Sequence, residues 1–114
     1  MVSNNRLKEP FVDALFEAIM LLENQEECYR FFEDIATTGE IKSLAQRLEV
    51  AKMLERDETY TKIAEVTGAS TATISRVKRF LNYGADGYKL ILDRLAKKKK
   101  EMGESIAQTV KKGI

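Results

Sequence analysis

The sequence contains no histidine and only one cysteine, and these two shortages exclude several kinds of site. Without histidine the chain cannot build a Ser-His-Asp triad, a Cys-His dyad or a histidine-based metal centre. The single Cys28 permits neither an intrachain disulfide nor a thiolate metal cluster, and its neighbours Glu27 and Tyr29 favour packing over reactivity. No acid, base and nucleophile stand at a recognisable spacing. We therefore expect no enzyme, no metal site and no cofactor.

Long apolar runs are also absent. No stretch approaches the roughly 18 residues of a membrane span, and the first residues, MVSNNR, lack the apolar core of a signal peptide. An apolar fraction of 44% over 114 residues is ordinary for one globular domain. One proline and six glycines favour long, uninterrupted elements. The sequence therefore predicts a soluble, cytoplasmic domain with no membrane partner.

The net charge of only +1 conceals an asymmetry along the chain. Residues 1–58 carry a net charge of −6, residues 59–82 of +3 and residues 83–114 of +4. An acidic half followed by a basic half is typical of a scaffold joined to a segment that binds a polyanion. It is equally typical of a solvated charged surface, so the charge alone leaves both interpretations open.

Apolar residues recur at helical spacing throughout, and no stretch alternates with a period of two, so we predict helices and no sheet. Pro10 can open the first helix, and capping boxes are predicted at Asn24 with Glu27 and at Thr37 with Glu40. Three helices before residue 58 present more apolar surface than so small a chain easily covers. This favours a dimer over a single monomeric helical core. The apolar faces comprise Phe11, Val12, Leu15, Phe16, Ile19, Met20 and Leu22, then Cys28, Phe31, Phe32 and Ile35, then Ile41, Leu44, Ala45, Leu48, Ala51 and Leu54.

Residues 59–82 have the spacing of a helix-turn-helix. Gly68 can adopt the positive φ that a sharp turn needs between a helix over 60–67 and a second helix over 71–82. Each position of the pattern has a separate steric reason, which makes the motif specific. The predicted caps are Thr59 and Ser70, and the inward-facing residues are Ile63, Ala64, Ile74 and Val77.

The outer face of the second helix favours contact with DNA. Small polar side chains at its N-terminal end would allow close approach to base edges in the major groove, and the basic residues beyond them would hold phosphates. No acidic residue lies between Val66 and Ala85. A solvated helix in an ordinary bundle is the alternative, although surface helices usually mix both signs of charge. The predicted DNA-binding residues are Thr71, Ala72, Thr73, Ser75, Arg76, Lys78 and Arg79.

The C-terminal part is predicted to hold one more helix, over 85–100, with Tyr88, Ile91, Leu92 and Leu95 facing inward. Four consecutive cations, Lys97 to Lys100, then open a basic segment over 97–114 that we expect to be disordered. The lysine run can serve as a solubilising tail, or it can add non-specific, salt-sensitive attraction to DNA.

Two blocks of sequence resemble the Trp repressor superfamily, and within it the Trp-repressor-like YerC/YecD proteins. The blocks are residues 37–48, TTGEIKSLAQRL, and residues 68–76, GASTATISR. The likeness covers residues 10–96 and leaves residues 1–9 as an N-terminal arm. It implies an all-α fold of six helices per subunit, interlocked as a two-fold homodimer with two recognition helices. It also implies a bacterial transcriptional regulator, a repressor, that binds a pseudo-palindromic operator in double-stranded DNA.

The same resemblance implies a ligand pocket. Repressors of this type bind tryptophan between the central helix and the recognition helix, and Thr37, Arg47 and Arg76 match positions that line that pocket. Val77 stands where the repressor has glycine, and Phe80 stands where it has serine, so both side chains would fill the cavity. We therefore expect DNA binding that does not depend on tryptophan. The alternatives are a repressor that responds to tryptophan or another small ligand, and a helical protein–protein adaptor whose basic helix meets an acidic partner.

Overall fold

The computed structural model describes residues 6–112, with side chains for residues 6–104, and contains six helices. No strand occurs within residues 6–112, and none of these helices has the length and apolar character to cross a membrane. The all-helical prediction is confirmed. Residues 1–5 of the predicted N-terminal arm lie outside the described residues. The helices are α1 (Pro10–Met20), α2 (Gln25–Ile35), α3 (Thr38–Glu55), α4 (Tyr60–Thr67), α5 (Thr71–Tyr83) and α6 (Gly87–Lys112).

Local side-chain chemistry sets where the first two helices begin. Pro10 is the first residue of α1, a position where its missing N–H costs no hydrogen bond. The Asn24 side chain accepts a hydrogen bond of 2.9 Å from the Glu27 N–H and so caps α2, as the sequence predicts. The Glu27 carboxylate accepts in return from the N–H of Glu23, one residue earlier than a capping box requires.

The predicted capping box at the start of α3 is complete. The Thr37 hydroxyl accepts from the Glu40 N–H at 3.1 Å, and the Glu40 carboxylate accepts from the Thr37 N–H at 2.8 Å. The Thr37 backbone N–H, and after it the Thr37 hydroxyl, lowers the pKa of Glu40 below its ordinary value, because hydrogen-bond donors close to the carboxylate favour its ionised form. The ionised Glu40 therefore stabilises the first turn of α3.

The chain divides into two compact units, Met1–Ala45 and Gln46–Ile114, and the division falls within α3. In the described part of the first unit no residue is buried, although its helices carry many apolar side chains. Phe11 is 86% exposed and Met20 is 83% exposed. On α2, the rings of Phe31 and Phe32 meet edge to face with centroids 5.4 Å apart. The apolar residues of α1 and α2 are thus half-buried or exposed, and none of them is fully buried in the described residues.

The second unit holds the core. Residues of α3, α4 and α5 bury the apolar side chains that the helix-turn-helix pattern requires, and α6 packs on α5. The predicted apolar stripe of α3 is partly wrong, because Leu44 is 55% exposed and the stripe omitted Val50 and Met53. The second half of α3 is apolar on more than one side, so spacing alone does not show which side faces its own core. The core residues are Val50, Ala51, Met53, Ile63, Ala69, Ile74 and Val77.

The last helix also departs from the prediction. Tyr88 and Leu92 pack against the core as expected, but Ile91 is 42% exposed and Leu95 is 38% exposed. The predicted helix ends at residue 100, whereas α6 continues to Lys112, so the structure has helix rather than an irregular tail over 97–112.

Helix formers account for this extension. Lysine, glutamate and methionine dominate residues 97–102 and no proline intervenes. The Lys97 ammonium also lies 3.3 Å from the Asp93 carboxylate one turn earlier. Residues 113 and 114 lie outside the described residues.

Candidate nucleic-acid interface

The turn between α4 and α5 has the geometry that the sequence predicts. The Thr59 hydroxyl accepts from the Lys62 N–H at 3.2 Å and caps α4. Gly68 ends α4 with φ of 74°, a left-handed conformation that strains residues with a Cβ. Two residues later, Ser70 caps α5 by accepting from the Thr73 N–H at 3.1 Å. The predicted helix-turn-helix is therefore present, with α5 as its second helix.

Apolar packing fixes the inner face of α5. Ile74 is fully buried, Val77 is 2% exposed and Leu81 is 5% exposed, one helical turn after another. Ile63 of α4 is also fully buried in the same core. Because this stripe faces inward, the opposite side of α5 must face outward.

Most of the predicted DNA-binding residues lie on that outward side. Thr71, Ala72, Ser75, Arg76 and Arg79 are exposed there, and Lys78 is exposed on the flank of α5 nearer to α4. Thr73 is half-buried, and its hydroxyl accepts from the Ser70 hydroxyl at 3.1 Å, so it contributes to the helix cap. The N-terminal turn of α5 thus presents short side chains, and the next turn presents arginines.

A shallow open groove of about 480 Å³ runs along this side of α5. The Arg79 guanidinium carbon lies 5.6 Å from the centroid of the half-buried Phe80 ring, within range of a cation–π contact. Since α5 contains no acidic residue, the charged side chains that it contributes to this groove, Arg76 and Arg79, are both basic. The groove is lined by Ala72, Ser75, Arg76, Arg79 and Phe80.

Lys78 lies on a different flank of α5. Its ammonium nitrogen is 5.7 Å from the centroid of the Tyr60 ring at the start of α4. Both residues line a second cavity of about 450 Å³ that three carboxylates also border. Lys78 is therefore separated from the groove that holds the two arginines. The remaining residues of this cavity are Leu54, Glu55, Asp57, Glu58, Leu81 and Asn82.

The residues of the predicted ligand pocket have different environments. Val77 is a core residue at 2% exposure, while Phe80 and Arg76 line the groove on α5. Arg47 is exposed on α3 and does not line that groove. Thr37 is exposed and its hydroxyl is engaged in capping α3.

Gln46 was not among the site residues predicted from the sequence. Its side-chain nitrogen donates a hydrogen bond of 3.1 Å to the carbonyl oxygen of Thr67, the last residue of α4. Gln46 shares a face of α3 with the buried Val50 and Met53, which follow it by four and seven residues. A polar residue on an apolar stripe is the signal that could have identified it.

The fold and this surface define an all-helical protein of the helix-turn-helix class. The chain belongs to the Trp repressor family: the family model described as Trp repressor protein matches residues 11–96. The resemblance to the YerC group is confirmed by the uncharacterized protein YerC of Bacillus subtilis (strain 168). It is 59% identical over 91 residues, which cover 80% of this chain and 88% of YerC.

Two solved structures are also similar. One is a Staphylococcus aureus protein provisionally described as a Trp repressor, with 53% identity and a TM-score of 0.78 over 84% of this chain and 96% of the other. The second is a TrpR-like protein from Eubacterium eligens ATCC 27750, with 59% identity and a TM-score of 0.78. That likeness covers 82% of this chain and 96% of the other. These structures agree with the observed six-helix arrangement.

Proposed function

We propose that this protein is a bacterial, cytoplasmic transcriptional regulator that binds a specific sequence of double-stranded DNA through α5. The observation that carries the proposal is the outward face of α5, which is free of acidic residues and changes from short polar side chains to arginines. Ile74 and Val77 on its inner face are packed in the core, which supports the use of α5 as a firmly held recognition helix in the major groove. Membership of the Trp repressor family supports a binding protein rather than an enzyme.

The two ends of α5 would have different roles. Thr71, Ala72 and Ser75 would approach base edges, because short side chains and a helix N-terminus can come close to the floor of the groove. Arg76 and Arg79 would hold phosphates and supply affinity without sequence preference. Lys78 would contribute less, since its ammonium lies beside Tyr60 in a cavity that Glu55, Asp57 and Glu58 also line.

We propose that the active form is a homodimer. Exposed apolar residues occur on α1 and α2 and at Leu44 of α3, and a second copy of this chain would cover them. Two recognition helices related by a two-fold axis would meet successive major grooves about 34 Å apart on a pseudo-palindromic operator. A repressor would then act by occupying that operator.

DNA binding would not need tryptophan. Val77 is 2% exposed and belongs to the core, so a packed side chain stands at the position where the glycine of the Trp repressor would leave room for an indole. Displacing packed side chains typically costs about 1–3 kcal/mol. The recognition helix would therefore be held by permanent packing.

Selection of bound sequences from a random pool of DNA duplexes tests this function. The expected result is enrichment of one pseudo-palindromic sequence, unchanged when a panel of amino acids is added. A matched selection with Ser75→Ala should enrich a different or less defined sequence. If the unmodified protein enriches no sequence, the proposed function is wrong. If enrichment occurs only with an amino acid present, the protein is a ligand-responsive repressor instead.

A further inference from the structure

The hydrogen bond from Gln46 to Thr67 differs from the other side-chain hydrogen bonds in the part of the chain whose side chains are described. It joins groups 21 residues apart, whereas the other side-chain hydrogen bonds within residues 6–104 join groups at most five residues apart. Gln46 is half-buried on α3, and its acceptor is the carbonyl at the end of α4. This bond is therefore a polar connection between the central helix and the turn of the helix-turn-helix.

Thr67 also makes hydrogen bonds to the backbone before and after it in the turn. The last carbonyls of a helix lack partners within the helix, and Gln46 supplies one to Thr67. The Thr67 hydroxyl donates to the Ile63 carbonyl at 2.7 Å and accepts from the Ala69 N–H at 3.1 Å. The backbone on both sides of Gly68 is thus tied to a residue that Gln46 holds.

We propose that Gln46 is a positioning residue that sets the recognition helix α5 relative to α3; this inference rests on the proposed function. Ser70, the cap of α5, follows Thr67 by only three residues, so a displacement of the turn carries the N-terminal end of α5 with it. Hydrogen bonds to base edges weaken steeply with distance and angle, whereas attraction between arginines and phosphates is tolerant of small shifts. Gln46 therefore controls discrimination between sequences more than overall attraction to DNA.

The variant Gln46→Met tests this role, because it keeps an unbranched side chain of similar length and removes the donor. The matched control is Gln25→Met, the same replacement at an exposed position of α2. Gln46→Lys is the rescue variant, since its ammonium restores a donor. The positive charge that this variant adds should raise the affinity for every DNA duplex by the same factor. That factor cancels when the affinities for two duplexes are compared as a ratio.

The main measurement is the ratio of affinities for the selected operator and for a scrambled duplex of equal length at one salt concentration. For Gln46→Met we expect this ratio to fall about fivefold, the equivalent of one net hydrogen bond, with little change in binding to the scrambled duplex. Gln46→Lys should recover most of the ratio, and Gln25→Met should leave it unchanged. Hydrogen exchange of the Ala69 backbone N–H should become faster in Gln46→Met, whereas exchange of the backbone N–H of the buried Ile74 should not change.

Two results would overturn the inference while leaving the proposed function in place. One is an operator ratio for Gln46→Met equal to that of the unmodified protein. The other is an equal loss of affinity for both duplexes together with a lower thermal midpoint, which would show a general stabilising role. If the unmodified protein itself shows no preference between the duplexes, the proposed function fails first, and that result is separate from either of these.

Discussion

The ammonium nitrogen of Lys78 lies 5.7 Å from the centroid of the Tyr60 ring, so this cation is directed toward α4. Arg79, the next residue, instead lines the open groove beside Phe80. Two adjacent cations of the recognition helix thus face different surroundings. Their positions predict different contributions to DNA binding.

Replacing Arg79 by alanine should weaken binding to all DNA sequences and lower the slope of log affinity against log salt by about 0.9, the value of one phosphate contact. Lys78→Ala is the matched control and should change that slope less, because Lys78 faces the cavity that Glu55, Asp57 and Glu58 also line rather than the open groove. Fluorescence anisotropy with an operator duplex over a series of salt concentrations measures both slopes. Equal slopes for the two variants would contradict this assignment.

Replacing Ser75 by alanine should change which base pairs are preferred at one position of each half-site. Ser75 is exposed on the face opposite the core, and its hydroxyl can both donate and accept at a base edge. Parallel selections from a random duplex pool with the two proteins compare their preferences, with Thr61→Ala, an exposed hydroxyl of α4, as the control. If Ser75→Ala and the unmodified protein select the same DNA sequences, Ser75 does not contribute to base recognition.

Replacing Phe16 by aspartate should prevent dimer formation. Phe16 is 49% exposed within one chain, and a second copy would cover it, so the carboxylate would have to be buried without a partner at a cost of several kcal/mol. Light scattering at micromolar concentration should show a dimer for the unmodified chain. Gln25→Glu, which adds a carboxylate at an exposed polar position, should remain dimeric. A well-folded monomer for the unmodified chain would rule out the proposed assembly.

L-Tryptophan should give no saturable heat in calorimetry and should not change operator affinity, because Val77 is a packed core residue. The double variant Val77→Gly with Phe80→Ser should open a cavity and lower the thermal midpoint, and it is the form in which indole binding should be sought. Val66→Gly on the exposed side of α4 is the control for glycine in a helix, which costs about 1 kcal/mol relative to alanine without a cavity. Micromolar tryptophan binding by the unmodified protein, coupled to DNA binding, would reverse this conclusion.

Glu40 should make the start of α3 sensitive to acid. Its pKa is lowered in the folded chain by the Thr37 N–H and hydroxyl, so the stability that it contributes is present above its unfolded pKa. This contribution should be lost as the pH falls through the lowered, folded-state pKa. Thermal unfolding over a pH series should show the loss, and Glu40→Gln, which cannot ionise, should lack that component. The prediction fails if both proteins follow the same pH dependence.

The starts of α2 to α5 and the position of the helix-turn-helix follow from short stretches of sequence. Asn24, Thr37, Thr59 and Ser70 each bond to a backbone N–H three residues ahead, so four adjacent residues contain the whole interaction. Gly68 likewise predicts the position of its turn from one residue, because a positive φ strains residues that carry a Cβ. Interactions that span one helical turn can be predicted from spacing, and the helix-turn-helix is built from them.

Which face of a helix is covered, and by which residues, depends instead on how distant segments pack together. Spacing shows that apolar residues share a side of α3, but the packing of α4 and α5 brings Val50 and Met53, which the predicted stripe omitted, into the core. The contact of Gln46 with Thr67 depends on the same packing, because 21 residues separate the two groups. The position of Lys78 beside Tyr60 also requires two helices to meet. Such contacts depend on how distant segments are oriented, and that orientation is a property of the whole core rather than of any local run of residues.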